Sequence, residues 1–285
     1  MFSGDSLRSR DPGPLTFGTV VPDNLPSRTR LETKMPCSIP QEILDLIIDN
    51  LCDEPTTLKT CCVVSKAWTH RTRKYLFVNV KFHPLGHRVS QWRETFPDPT
   101  NSPAHHTRAL SICHPQLIAT ADMDTLLAFC GVVRLDVDTD LWFDHMVSLI
   151  PLRGLSPVLR SLHLTFTSLS DSEIFNLVCS FPLLEDLVLV SRTRRRNDPG
   201  WNTPSTSPRL TGSLELRLIE GIRSITYRLL DLQNGLHFTK IAVPWISEGD
   251  VPATMHLVSR CSSTLESLDI ANHLFGVLPS AIVPE

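Results

Sequence analysis

The stretch Leu159-Arg160-Ser161-Leu162-His163-Leu164 decides the fold, because it is one copy of a pattern that returns along the chain. The same apolar-x-x-apolar-x-apolar spacing occurs as Val132, Leu135 and Val137, as Leu184, Leu187 and Leu189, as Phe238, Ile241 and Val243, and as Leu265, Leu268 and Ile270. A weaker copy holds Leu214 and Leu216. The middle positions stand at 135, 162, 187, 214, 241 and 268, so successive copies lie 27, 25, 27, 27 and 27 residues apart. Leu110 with Ile112 precedes Leu135 by 25, and Val80 with Phe82 reads as an edge strand 30 residues earlier. Alternation of apolar and polar positions is the period of a strand with one buried face. A constant spacing of such strands is the mark of a repeat architecture.

The intervals between copies read mostly as helices. Ala121–Cys130 is expected to end at Gly131, a C-terminal cap. Ser170 and Glu173 have capping-box spacing ahead of Ile174, Phe175, Leu177 and Val178. Ile219–Gln233 is expected to end near Gly235, and Asp250 with Pro252 to start a helix through Met255, Leu257 and Val258. The interval after Leu189 lacks a helical pattern and carries SRTRRRNDPGWNTPSTSP. About fifteen residues follow Ile270, which suits either a partial cap or a short array.

One strand and one helix in each interval of about 27 residues resembles the leucine-rich repeat family in a degenerate form. The family's Asn, three residues beyond the last strand leucine, is replaced by Asp140, Thr167, Arg192, Ile219 and His273. The resemblance implies an α/β solenoid, with a parallel sheet on a concave face and helices outside, whose stacked units share one core.

Ahead of the array, residues 39–71 read IPQEILDLIIDNLCDEPTTLKTCCVVSKAWTHR. Ile43, Leu44, Ile47, Ile48 and Leu51 form an apolar stripe at helical spacing, entered through Pro40. After Asp53-Glu54-Pro55, Thr56 or Thr57 is expected to cap a second helix carrying Leu58, Cys61, Cys62 and Val64, with Trp68 closing the unit. So short a segment cannot bury this much apolar surface by itself. Residues 1–35 hold Pro, Gly, Ser, Thr and Arg without periodicity and read as a disordered tail. Residues 83–106 read as a linker, and residues 107–285 as the repeat domain.

Composition sets outer bounds. The chain has 285 residues, 41% hydrophobic and 20% charged, with a net charge of −3, so neither nucleic acid nor an anionic membrane exerts a general pull on it. No run of about eighteen apolar residues exists to span a bilayer. Eight cysteines without C-x-x-C pairs read as small hydrophobes in a reducing compartment, which gives the expectation of a cytoplasmic and/or nuclear protein.

Residues 39–82 resemble an F-box, the helical module that docks the Skp adaptor of SCF-type ubiquitin ligases. The likeness rests on Ile39-Pro40-x-Glu42-Ile43-Leu44, on Ile47 and Leu51, on Leu58, and on Val64-Ser65-Lys66-x-Trp68, similar to the family's Val-Ser-Arg-x-Trp ending. Arg71–Phe82 is similar to the form seen in F-box proteins of mushroom-forming fungi. The resemblance implies a fold of a short helical F-box followed by the solenoid. It also implies that a Skp-type adaptor, and through it a cullin–RING ligase, packs on Ile39, Pro40, Ile43, Leu44, Ile47, Leu51, Leu58, Val63 and Val64. The other reading open at this stage is that these helices only cap the first repeat.

Nothing in the sequence suggests bond chemistry, so a non-catalytic protein without cofactor or metal is expected. His83 and His87 flank Pro84 and Gly86 and read as a loop; His105-His106 reads as solvated linker. Cys61-Cys62 lies in an apolar helix, where a thiolate is disfavoured. Asp136 and Asp138 share a strand face and, with Asp140, form either an acidic patch or an ordinary solvated face. Arg192, Arg194, Arg195 and Arg196 are either a solvated loop or a basic patch for acidic or phosphorylated targets, with Trp201 as anchor. Only six of the 27 basic residues are Lys, and Lys240 alone follows Lys81.

Overall fold

The computed structural model describes residues 39–84, 86–115, 118–139, 149, 152–167, 169–191, 207–218, 222–244 and 246–270. The expected tail, Asp140, the arginine cluster Arg192 to Arg196, Trp201 and residues 271–285 all lie outside them. Backbone contacts divide the chain into Met1–Pro40 and Gln41–Glu285. Of the first unit only Ile39 and Pro40 are described.

The second unit is α/β and solenoid-like. Among the described residues eight strands form one sheet in chain order: β1 (Asn79–Phe82), β2 (Ala109–Cys113), β3 (Arg134–Asp138), β4 (Ser161–Phe166), β5 (Asp186–Ser191), β6 (Ser213–Leu218), β7 (Lys240–Val243) and β8 (Ser267–Ile270). Every neighbouring pair is parallel. The sequence spacing is reproduced as strand register. Val80 pairs with Leu110, which pairs with Leu135, and the row continues through Leu162, Leu187, Leu214 and Ile241 to Leu268. The interval along this row ranges from 25 to 30 residues, and the difference is absorbed outside the strands. A one-residue slip would have turned the apolar set to the other face.

The buried row from Val80 to Ile241 meets helices on one side of the sheet. These are α4 (Val89–Thr95), α5 (Met123–Leu127), α6 (Asp171–Val178), α7 (Ile222–Leu230) and α8 (Val251–Cys261). Phe129, Ile174, Phe175, Ile225, Leu229 and Leu257 join the strand residues in one continuous core running from Val80 to Cys261. At the far edge the row opens, and Leu268 is 47% exposed.

Among the described residues no asparagine ladder holds the repeats together; backbone carbonyls just before β1, β2, β3, β4, β6 and β7 do so instead, while before β5 Glu185 O takes Gly212 N alone and the Asp186 carboxylate takes Ser213 N. Val78 O accepts from the amides of Arg108 and Ala109, Arg108 O from Val133 and Arg134, and Val133 O from Arg160 and Ser161. Arg160 O, Gly212 O and Thr239 O repeat the arrangement with the next unit. Apart from Glu185 O, each carbonyl uses both lone pairs on consecutive amides, so no buried donor is stranded where one unit meets the next. Side chains add to the stacking: Ser156 Oγ donates to Cys130 O at 2.9 Å and Val132 O at 2.8 Å, and Thr264 Oγ1 donates to Phe238 O at 3.1 Å.

The helix signals fare unevenly. Ser170 and Glu173 close the expected capping box on α6, with Ser170 N donating to Glu173 Oε2 at 3.0 Å. Gly235 has φ +71°, the left-handed conformation that glycine adopts without strain. Gly131, however, caps nothing: α5 stops at Leu127. The residue is small because a Cβ there would stand 2.9 Å from the backbone oxygen of His105. Residues 83–106, read as a linker, carry α4 and two 3-10 turns, Pro99–Asn101 and Pro103–His106, and they bury Val89 and Ala104. The aromatic rings of Phe82, Trp92 and Phe129 meet edge to face or tilted there, which the polar composition of the segment concealed.

Candidate docking surface

Three helices precede the sheet: α1 (Gln41–Asp49), α2 (Pro55–Val64) and α3 (Lys66–Leu76). α1 ends where Asn50 doubles back, its amide and its side chain both donating to Leu46 O. α2 starts two or three residues earlier than a cap at Thr56 or Thr57 would place it. Pro55 occupies the first turn, where its missing N–H costs nothing, and Thr57 does not cap the helix but donates to the Glu54 carboxylate at 2.9 Å. Ser65 then ends α2 and caps α3, accepting from Ala67 N at 3.2 Å. Trp68 does not close the unit; it lies in the first turn of α3, which runs on to Leu76.

The corner between α2 and α3 is fastened by Thr69 Oγ1, which donates to Cys62 O at 3.2 Å, and by Cys62 Sγ, 2.7 Å from the hydroxyl of the fully buried Thr72. α1 is held from its C-terminal end. Arg71 of α3 grips both carboxylate oxygens of Asp49, and the Tyr75 hydroxyl donates to Asp49 Oδ1 at 2.7 Å. Hydrogen bonds from Arg71 and Tyr75 hold the Asp49 carboxyl at about 2, and the same contacts push the Tyr75 phenol upward.

These tethers divide the apolar stripe of α1 into two sides. Ile48 is buried, and Leu44 and Leu51 are half-buried. Ile43 and Ile47 remain 47% and 45% exposed, and Leu46 is exposed beside them. On α2 the division is sharper. Leu58 is 1% exposed, so it belongs to the interior and is unavailable to a partner, whereas Val63 is 86% exposed and Val64 is exposed with it. Ile39 and Pro40 are also exposed. Ile48, Leu58 and Cys61 are buried yet stand outside the continuous core of the sheet, so the three helices have a small core of their own. Leu46 was missed in the sequence because it lies one position off the i, i+4 series. α3 is the helix that packs on the Pro103–His106 turn.

The sheet face away from the outer helices is a second candidate surface. It is not simply acidic. Asp136 is flanked by Arg134 at 3.1 Å and by His163 at 3.5 Å, and Glu215 is paired with Arg217. Burial pushes the Asp136 carboxyl up, but hydrogen bonds from His163 and Arg134 outweigh it and leave the group lowered. The face therefore presents alternating charge. Among the described residues no group of three or more His, Cys, Asp or Glu is placed to hold a metal ion, and no helix is long and apolar enough to cross a membrane. No protein-family model matches the chain, and no curated protein matches it.

Proposed function

We propose that this protein is a non-catalytic substrate adaptor of an SCF-type ubiquitin ligase, working in the cytoplasm and/or nucleus. The observation that carries this reading is the split of α1: its inner side is consumed by α3, while Ile43, Leu46 and Ile47 stay open, with Val63 and Val64 open on α2. An apolar helix face left uncovered at the surface suits a helix-packing partner. In the F-box reading of residues 39–82, that partner is a Skp-type adaptor and, beyond it, a cullin–RING ligase. The contacts are Ile39, Pro40, Ile43, Leu46, Ile47, Val63 and Val64, with Leu44 and Leu51 backing them. The strand array holds a target protein on its open face, as a leucine-rich repeat would, and the ligase gains from proximity, a raised effective concentration of target lysines.

The test is coexpression of a Skp-type adaptor with wild type and with Ile43→Asp/Ile47→Asp. Both positions are exposed, so the folded chain tolerates the change. Loss of copurification by the variant supports the reading. Equal recovery of adaptor with both chains, or with neither, overturns it in favour of a repeat-based binding protein whose helices only cap the array.

A further inference from the structure

A cleft of about 430 Å³ lies between α3 and the 3-10 turns at Pro99–Asn101 and Pro103–His106. Its charged and titratable wall is cationic: Lys66, His70 and Arg73 from α3 face His105 and His106. Lys66, His70 and Arg73 follow one another at helical spacing, so α3 turns a single basic side to the cleft. The rings of His70 and His106 meet edge to face at 5.5 Å, and those of His105 and His106 at 3.9 Å. Lys74 and Arg108 stand close enough to act on His106 as well.

Lys66 and Arg73 carry positive charge on this wall, and neighbouring cations repel unless anions balance them. Among the described residues, no carboxylate forms an ion pair with Lys66, His70 or Arg73. Asp98, beside the cleft, is already engaged: Thr100 N and Oγ1 donate to it at 2.9 and 2.7 Å, and Asn101 Nδ2 donates at 2.5 Å. Arg73 spends one N–H on Asn101 O at 3.5 Å and lies over the Phe96 ring. Among the described residues, the remaining donors of Arg73, Lys66 Nζ and the imidazoles of His70 and His106 meet no acceptor, whereas His105 Nδ1 lies 2.7 Å from Ser102 O. The strain registers on His106. Burial first, then His105, His70, Lys74 and Arg108, push its imidazole down to about 4.

From this arrangement we propose that the cleft is a binding site for a small phosphate monoester. Its volume lies in the range of small-ligand sites. The planar guanidinium of Arg73 and the ammonium of Lys66, with imidazole rings set across from them, suit a tetrahedral dianion better than a carboxylate, which has only two oxygens to offer. The inference stands apart from the adaptor reading, because the donors belong to α3 and the 3-10 turns and not to the open sides of α1 and α2. A phosphate bound beside His106 favours its protonated form, so binding raises the His106 titration midpoint.

The test uses the full chain, with O-phosphoserine as probe and glutamate and serine as controls at matched ionic strength. The His70, His105 and His106 ring signals are followed by NMR against pH. The expected result is that O-phosphoserine raises the His106 titration midpoint by about one unit, equivalent to about tenfold tighter binding to the protonated form, and that glutamate and serine do not. Lys66→Gln/Arg73→Gln, checked for an unchanged circular dichroism spectrum, removes the shift. Titration curves unmoved by O-phosphoserine, or moved equally by glutamate, overturn the proposal. So does full binding by a folded double variant.

Discussion

Arg71 on α3 closes both prongs of its guanidinium on the carboxylate of Asp49, the last residue of α1. Among the described residues, α1 has no other side-chain hydrogen bond to α3 except that of Tyr75 on the same carboxylate, so this contact sets which side of α1 faces inward.

The contact carries a pH signature. Asp49 is held at about 2, below the ~3.9 of an unfolded chain, so its contribution is complete above about pH 4 and is lost as pH falls through the folded value. Asp49→Asn should therefore melt below wild type near neutral pH, with the gap closing as pH approaches 2. Thermal melts of both chains at several pH values check this. A gap that stays constant through that window would show that Asp49 acts by packing alone.

The strand row sets a contrast between interior and edge. Leu162 is fully buried, and Leu162→Ala should cost about 2–5 kcal/mol through lost burial and the cavity left behind. Leu268 occupies the same row but is 47% exposed, so Leu268→Ala should cost about 1 kcal/mol or less. Urea unfolding of the two variants measures the difference, and equal midpoints would contradict it.

Gly131→Ala brings a Cβ to 2.9 Å from the backbone oxygen of His105 and, at a third atom, to 3.4 Å from Thr107 O. Backbone cannot step aside as a flexible side chain can, so the substitution should destabilise by about 1–3 kcal/mol, the cost of overpacking. A true helix-cap glycine in a left-handed conformation would fail for a different reason. Gly131→Asn separates the two, because Asn relieves a left-handed site and worsens a crowded one.

Thiol reactivity should follow the fold. Cys52 and Cys130 are exposed, whereas Cys61 and Cys261 are buried, and burial pushes the Cys179 thiol up to about 11. Iodoacetamide at mildly alkaline pH is expected to label Cys52 and Cys130 first, with Cys179 among the last, as read by peptide mass spectrometry. Early modification of Cys179 in the folded chain would contradict its placement.

The sheet was legible because its signal is redundant. Leu135, Leu162, Leu187, Leu214 and Ile241 each repeat the same information, and each stands opposite the next in the parallel register. The 83–106 interval was not legible, since its helix is seven residues long and its buried groups, Val89, Trp92 and Ala104, are spread among prolines and histidines. At the candidate docking face, periodicity identified the helices but not their inner sides. Ile43 and Leu44 look alike in a stripe. Only the grip of Arg71 on Asp49, 22 residues away, distinguishes the open side of α1 from the closed one. Leu58 likewise has the composition of a contact residue and the position of a core residue.

The strand-start carbonyls, all but Glu185 O holding two amides of the next unit, also fix how the array responds to tension. Neighbouring strands are parallel and joined in chain order, so traction on the two ends opens the sheet like a zipper rather than shearing all rungs at once. Each rung released frees one interval of about 27 residues, roughly 90 Å of extended chain at ~3.3–3.6 Å per residue. Stretched singly, the molecule should yield in near-equal steps of that length, a mechanical counterpart of the spacing read from its leucines.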